Sequence, residues 1–169
     1  MVATLLSVAL ALASATPSHA PVSANTHALQ FDRLLDSPLR KSVPQTFAGL
    51  MHFASLSRTT VTREKSVYET GAMIEHRVFE YEGLKIHALS SCPPCTKSVT
   101  EAIEVASPKW PLQNGIKVGA PASQISHVMG KADEVTDTSM EFCNDSMDCI
   151  RFVVAQGWIK TILISYYID

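Results

Sequence analysis

Four cysteines in two closely spaced pairs constrain this chain more than any other feature of its sequence. Cys92 and Cys95 flank two prolines, and five residues separate Cys143 from Cys149. Such spacings are typical of a disulfide framework, of a metal site or of a redox centre. If the cysteines are oxidised, three pairings are open to them, and spacing alone does not choose among these.

The N-terminal residues indicate export to an oxidising compartment. An apolar run within residues 1–15 is too short to span a membrane and ends in small residues, as a signal peptide does. Cleavage after Ala15 or after Ala24 fits the rule of small residues around the cut. Because no Lys or Arg precedes the run, a buried N-terminal helix is the alternative. Export predicts a periplasmic or secreted protein whose four cysteines form disulfides.

Residues 1–24 are therefore interpreted as the signal peptide, followed by an arm and one domain. Residues 25–44 are rich in Ser, Pro, Ala and Thr and predict a flexible arm. Residues 45–169 suffice for a single domain, and the chain is 46% hydrophobic, so a core can form. A net charge of −2 argues against a nucleic-acid partner, and no later segment is apolar enough for a transmembrane segment.

Alternating side chains predict antiparallel strands through most of the domain. Strand-like segments run from residue 73 to residue 90 around a turn at Glu82-Gly83, and then over residues 140–143, 149–155 and 158–168. Residues 97–106 fit a strand because their β-branched residues fall two apart, although their Glu and Ala also suit a helix. A further short strand is predicted at residues 67–70.

Two segments have helical spacing. Apolar residues three and four apart favour a helix within residues 45–58, and Pro121 and Gly130 suit the first turn and the end of a second helix. The predicted fold class is α+β, with small helices packed on an antiparallel β-meander.

A spaced set of glycines and apolar residues marks the segment before the last strands. It consists of Gly115, Gly119, Ile125, Gly130 and Asp133. This pattern resembles the signature of the β-lactamase-inhibitor-protein-like fold, which also includes small outer-membrane-assembly lipoproteins. The resemblance covers roughly the last third of the chain. It implies an exported α+β domain that works by binding proteins or envelope components, and it implies no catalytic residue.

Two chemical alternatives apply to the cysteines. A C-x-x-C pair after a strand fits the thioredoxin arrangement, but Pro108 and Pro111 interrupt the next element, and the chain ends in a strand rather than a helix. A zinc site is also an alternative, although cysteine spacings of two and five residues differ from a typical zinc knuckle. Glu75, His76, Glu80 and Glu82 are interpreted as an exposed strand edge.

The sequence thus predicts an exported, non-enzymatic binding or structural protein of the bacterial cell envelope. Its partner would be an envelope protein or another macromolecule. The assigned residues are the disulfide cysteines Cys92, Cys95, Cys143 and Cys149, and no catalytic residue, cofactor-binding residue or metal ligand is assigned. The alternative is a periplasmic thiol–disulfide protein that uses Cys92 and Cys95.

Overall fold

The computed structural model describes residues 38–67 and 69–168. The predicted signal peptide and residues 25–37 of the predicted arm lie outside the described residues. Residues 38–44, the end of that arm, belong to the folded domain. They include helix α1 (Pro38–Ser42), and Leu39 and Val43 are buried in the hydrophobic core.

Eight strands form one antiparallel sheet in the order β1-β2-β3-β4-β8-β7-β6-β5. Their bounds are β1 (Leu56–Lys65), β2 (Met73–Tyr81), β3 (Leu84–Cys92), β4 (Val99–Val105), β5 (Glu134–Val135), β6 (Ser139–Cys143), β7 (Cys149–Ala155) and β8 (Trp158–Ser165). Each half of the sheet is a four-stranded meander, and β4 pairs with β8 to join the halves. Within residues 97–106, which also suited a helix, Val99–Val105 form strand β4.

Helices are minor elements beside this sheet. They are α1, α2 (Phe47–His52), α3 (Ser123–Met129) and a short 3-10 turn (Gln113–Gly115). The predicted α+β class is therefore wrong, because the described chain is mostly a single eight-stranded antiparallel sheet. The two helices predicted within residues 45–58 and after Pro121 do form, as α2 and α3, but they are only six and seven residues long.

The sequence does not reveal β1, which is the longest strand of the sheet. Nine of its ten residues from Leu56 to Lys65 are polar or exposed, so it lacks the apolar alternation of a half-buried strand. Backbone hydrogen bonds to β2 hold it in place, from Leu56 opposite Tyr81 to Lys65 opposite Met73. The short strand predicted at residues 67–70 is wrong, because the described residues there form the connection to β2.

The core lies on one face of the sheet only. Alternate residues of the strands point into it and are almost fully buried, among them Phe79, Ile86, Ile103, Phe152 and Ile162. Leu50 from α2 and Ile125 from α3 are also fully buried in this cluster. Burial of each such side chain stabilises the fold by roughly 1.5–3 kcal/mol. Within the described part of the chain, the three helices therefore cover one face of the sheet, and no helix covers the other.

Two predicted turns form where glycine is required. Gly83 joins β2 to β3 with a φ of 67°, and a Cβ there would overlap the side chain of Ser107. Gln156 and Gly157 join β7 to β8. Both have positive φ, which the two central residues of a type I′ hairpin turn require. Both turns are confirmed at the residues that the sequence indicated.

Three residues of the glycine pattern, Ile125, Gly130 and Asp133, lie in α3 or directly after it. Gly130 ends the helix with a φ of 78°, and Ile125 is its fully buried residue. Asp133 accepts a hydrogen bond from the backbone N–H of Cys143 at 2.8 Å. The pattern therefore ends α3 and connects it to the second meander.

Candidate functional site

The structure places both cysteine pairs at disulfide distance, which supports the predicted disulfide bonds. Cys92, the last residue of β3, is joined to Cys95 in the loop before β4, with Cα atoms 4.5 Å apart. Cys143 ends β6 and is joined to Cys149, the first residue of β7, with Cα atoms 4.1 Å apart. Each bond is local and closes a single short loop.

A buried carboxylate lies beside the first disulfide. An oxygen of Glu75 and the Sγ atoms of Cys92 and Cys95 all lie within 4.8 Å of one another. Glu75 is on β2 opposite Ser90 of β3, and it is only 1% exposed. Its interpretation as part of an exposed strand edge is therefore wrong.

Two arginines compensate the charge of Glu75. Arg63 Nε and Arg77 Nε each donate to a different oxygen of this carboxylate, both at 2.6 Å. The hydrogen bond from Arg63 lowers the pKa of Glu75, burial raises it, and Arg77 lowers it again, so that the net pKa lies below its usual value. The guanidinium of Arg77 also lies 4.3 Å from the ring centre of Phe47 in α2. This network ties the first two strands to the helical layer.

The surroundings of Cys92 and Cys95 disfavour a reactive thiolate. A nucleophilic cysteine needs nearby positive charge or a helix N-terminus to lower its pKa. Here an ionised carboxylate is next to the sulfurs, while Arg63 and Arg77 donate to that carboxylate. Cys92 is also buried, with 8% of its surface exposed, so reaction partners have little access to it. The environment favours a structural disulfide over a redox centre.

The second disulfide closes a loop whose polar groups bond to one another and to the chain after β8. Within the loop, Asn144 Oδ1 accepts from the backbone N–H of Asp148 at 2.9 Å. Asp148 Oδ1 accepts from the backbone N–H of Tyr167 at 2.8 Å. Glu141 lies within 4.8 Å of the sulfurs of Cys143 and Cys149 and is paired with Arg151 at 2.6 Å. The loop is therefore fixed to the end of β8.

Metal binding by these cysteines would require reduction. Glu75 with Cys92 and Cys95, and Glu141 with Cys143 and Cys149, are the groupings with metal-ligand spacing among the described residues. In both, the sulfurs are joined to each other, and a disulfide offers no thiolate ligand. The zinc alternative therefore does not apply to the oxidised protein.

We expect the Cys92–Cys95 disulfide to resist reduction. Its reduction potential should lie below about −300 mV, because the adjacent carboxylate disfavours the thiolate that reduction releases. Equilibration in dithiothreitol buffers, followed by alkylation and mass spectrometry, measures this potential. Cys143–Cys149 serves as the internal comparison. A potential near −200 mV, together with insulin reduction that Cys92→Ser abolishes, would support the thiol–disulfide alternative instead.

A row of charged side chains crosses the open face of the sheet, the face that the helices leave uncovered. Residues opposite one another in the strand register make up this charged row, in which Leu163 is the one apolar member. It runs Arg58, Glu80, Lys85, Glu104, Leu163, Arg151, Glu141, Glu134. Three ion pairs lie within it: Arg58–Glu80 at 3.3 Å, Lys85–Glu104 at 3.5 Å and Arg151–Glu141 at 2.6 Å. Carboxylates outnumber cations in the row by four to three.

A row of mostly small side chains lies beside the charged row. It comprises Thr60, Val78, His87, Ala102 and Ser165 and ends at the Cys143–Cys149 disulfide. Every member of the two rows is half-buried or exposed, whereas residues that alternate with them on β2, β3, β4, β7 and β8 are buried in the core: Phe79, Ile86, Ile103, Phe152 and Ile162. The open face thus has a strip of mostly small residues beside the charged row.

His76 lies next to this strip, between two carboxylates. Its ring nitrogens are 3.2 Å from Glu101 Oε2 and 3.3 Å from Glu64 Oε1. Burial lowers the pKa of His76, but the two carboxylates outweigh it, so that the pKa lies above its usual value. Protonation of His76 therefore reduces the negative charge of this part of the open face as the pH falls.

A separate cleft opens at the end of the sheet where β4 and β7 begin and β8 ends. Its volume is about 750 Å³. It is bordered by α1, by the residues before and at the start of β4, by Asp148 and by the residues after β8. Three cations line it, Arg40, Lys41 and Lys97, and its buried apolar residues are Val43 and Ile103.

Sequence reasoning missed Glu75, the charged row and the cleft. Glu75 could have been found, because it alternates with Phe79 and Tyr81 and therefore shares their buried face. The charged row depends on the pairing of β4 with β8, which no local pattern reveals.

No protein-family model, curated protein or solved structure matches the chain. In the described part of the chain, no helix combines the length and the apolar character needed to cross a bilayer.

Proposed function

We propose that this is an exported, non-enzymatic binding protein of the bacterial cell envelope that holds a protein partner on the open face of its sheet. One observation carries the proposal. The helices cover one face of an eight-stranded sheet, and the other presents half-buried and exposed side chains from every strand.

The arrangement of the open face suits recognition of another protein. Strands held by backbone pairing on both sides form a rigid platform, so that little ordering entropy is lost on binding. Apart from His87, the row from Thr60 to Ser165 has small side chains that allow close approach, and the charged row beside it can set the register of a partner. Exposed Trp158 is the first residue of β8, where an aromatic contact would add affinity.

The disulfides and the glycine pattern agree with this proposal. Two short disulfides suit an exported domain in an oxidising compartment. The residues from Gly115 to Asp133 resemble the signature of a fold whose members bind proteins or envelope components, although the α+β class that this resemblance also implies is not the class found here. Export to the periplasm or to the medium is part of the proposal.

The variant Ala102→Arg should abolish partner binding. Ala102 lies at the middle of the small row between His87 and Ser165, so a long charged side chain there would block close approach. The purified protein would be used to capture partners from an envelope extract, and the captured proteins would be compared between variants. We expect a loss of at least about tenfold in the captured partner.

Ser126→Arg is the matched control, because it adds the same side chain to the exposed surface of α3, on the other side of the sheet. It should leave capture unchanged. Equal capture by the wild type and both variants would contradict docking on the open face. Turnover of a substrate that survives purification and depends on one residue cluster would contradict the non-enzymatic proposal.

A further inference from the structure

We infer that the protein forms a two-fold dimer in which β1 of one copy pairs antiparallel with β1 of a second copy, so that the two sheets join into one. This inference is independent of protein docking on the open face. It rests on the unpaired backbone edge of β1, on the length of that strand and on the order of the charges along it.

One backbone edge of β1 has no partner within the described part of the chain. β1 is the first strand in the order of the sheet, and β2 is its one neighbour among the described strands. No backbone hydrogen bond from the described loops and helices reaches Leu56–Lys65. The outward N–H and C=O groups of such a strand are a template on which another strand can pair.

The two edges of the sheet differ in what they offer to another strand. β5, at the opposite edge, has only the two residues Glu134–Val135. β1 has ten residues and no proline, and it pairs regularly with β2 from Arg58 to Lys65. Short strands, prolines and bulges are the usual means of keeping an edge from pairing. Along its regular part β1 has none of these, so its charged side chains decide what can pair with it.

The order of charges along β1 favours a second copy of the same strand. Antiparallel pairing about a two-fold axis at Val61 places Arg58 of each copy opposite Glu64 of the other, and Thr60 opposite Thr62. Opposite charges that face one another across two strands stabilise the pair. An axis at Thr60 would instead place Arg58 opposite Thr62, and an axis at Thr62 would place Glu64 opposite Thr60. The register about Val61 therefore gains two ion pairs that its neighbouring registers lack.

The remaining cations of β1 do not oppose this register. Arg63 of one copy faces Thr59 of the other, and Lys65 faces Ser57. Like charges directly opposite one another would destabilise the pairing, and none occur here. At the axis, Val61 meets its own copy, and this apolar side chain is 45% exposed in the single chain. Pairing would thus cover an apolar residue at its centre and place charge pairs on both sides of it.

Arg58 and Glu64 keep bonding capacity for a second copy, although each already has a contact within its own chain. Arg58 contacts Glu80 through Nε at 3.3 Å and Thr60 through Nη2 at 3.5 Å, so Nη1 can still donate. Glu64 contacts His76 through Oε1 at 3.3 Å, which leaves its Oε2 as an acceptor. The side chains of Arg58 and Glu64 are 69% and 65% exposed. An added contact therefore requires neither residue to give up its present one.

The same axis determines how the two open faces lie. Directly opposed residues of antiparallel strands point to the same side of a sheet. Arg58 and Glu64 lie opposite Glu80 and Ile74 of β2, which alternate with buried Phe79, so both are on the open face. The open faces of the two copies therefore lie on one side of the joined sheet.

The test uses the oxidised, purified protein and two charge-reversed variants. Sedimentation equilibrium at micromolar concentrations should show a reversible dimer for the wild type. Arg58→Glu and Glu64→Arg should each raise the dimer Kd at least about tenfold, because like charges then face one another at both pairs. An equimolar mixture of the two variants should dimerise with a Kd within about threefold of the wild type, since every charge at these pairs then meets its opposite.

Lys160→Glu is the matched control, because Lys160 is an exposed cation of β8, a strand inside the sheet and away from β1. It should change the dimer Kd by less than about twofold. Circular dichroism melting would verify that each variant is folded. A wild type that stays monomeric would mean that another segment or another protein takes this edge, and it would overturn the inference. So would a dimer that neither charge reversal weakens, or a mixture of the two variants that stays monomeric.

Discussion

Replacement of Ile162 by Ala is expected to lower the free energy of unfolding by about 3 kcal/mol, whereas the same change at Leu163 should cost only about 1 kcal/mol. These residues are neighbours in β8 but point to opposite faces. Ile162 is fully buried against the core between Val105 and Phe152, while Leu163 lies half-buried in the charged row of the open face.

The difference arises from what surrounds each side chain. Truncation of Ile162 removes buried apolar area and leaves a cavity in a packed layer beneath the helices. Truncation of Leu163 leaves space that water can enter, so that only part of the transfer free energy is lost. Urea unfolding at neutral pH, followed by circular dichroism, would measure both changes. Similar losses of stability for the two variants would mean that the open face is covered, which would also remove the basis for docking there.

Glu75→Gln is expected to destabilise the protein by about 2–3 kcal/mol at neutral pH. The neutral amide keeps the shape of the carboxylate but leaves the charge of Arg77 without its partner at the edge of the core. Arg63 is mostly exposed and can turn to water, so it contributes less. Chemical unfolding at neutral pH would measure the loss.

The loss should depend on pH in a definite direction. Because the pKa of Glu75 is lowered in the folded state, its ionised form adds stability above the unfolded pKa of 4.5. This contribution is lost as the pH falls from 4.5 through the lower folded pKa. The difference in stability between the wild type and Glu75→Gln should therefore shrink as the medium is acidified below that value.

Glu80→Gln provides the matched control. Glu80 is also on β2 and is also paired with an arginine of β1, Arg58, but both side chains are more accessible to solvent. Its loss should cost less than about 1 kcal/mol. Equal effects at Glu75 and Glu80, or a Glu75 effect that does not shrink in acid, would contradict a buried ion pair beside the disulfide.

Local features of this fold followed from local sequence. The turns at Gly83 and Gly157 were predicted correctly, because a positive φ favours glycine in a tight hairpin. The strands that alternate apolar and polar residues were also found, since one of their faces is buried. β1 was missed because neither of its faces is largely buried, and its position depends on backbone pairing that any side chain permits.

The candidate sites were less accessible to prediction. Cys92 and Cys95 were identified from their spacing, but their buried neighbour Glu75 lies on another strand and was assigned to the surface. The cleft collects residues from α1, from the start of β4 and from the end of the chain. Because these three segments are far apart along the chain, no local sequence pattern indicates that they meet.

The sequence by itself determined the chemistry that is close along the chain: two cysteine pairs, glycine turns, alternating strands and an N-terminal segment that predicts export. These depend on a few neighbouring residues and on backbone conformations that glycine or alternation requires. Only the tertiary structure decided that β4 pairs with β8, that one face of the sheet is left open and that Glu75 lies beside a disulfide. Those outcomes depend on which strands pair over long distances in the chain and on which face of the sheet the helices bury. The alternation of apolar and polar residues along a strand specifies neither.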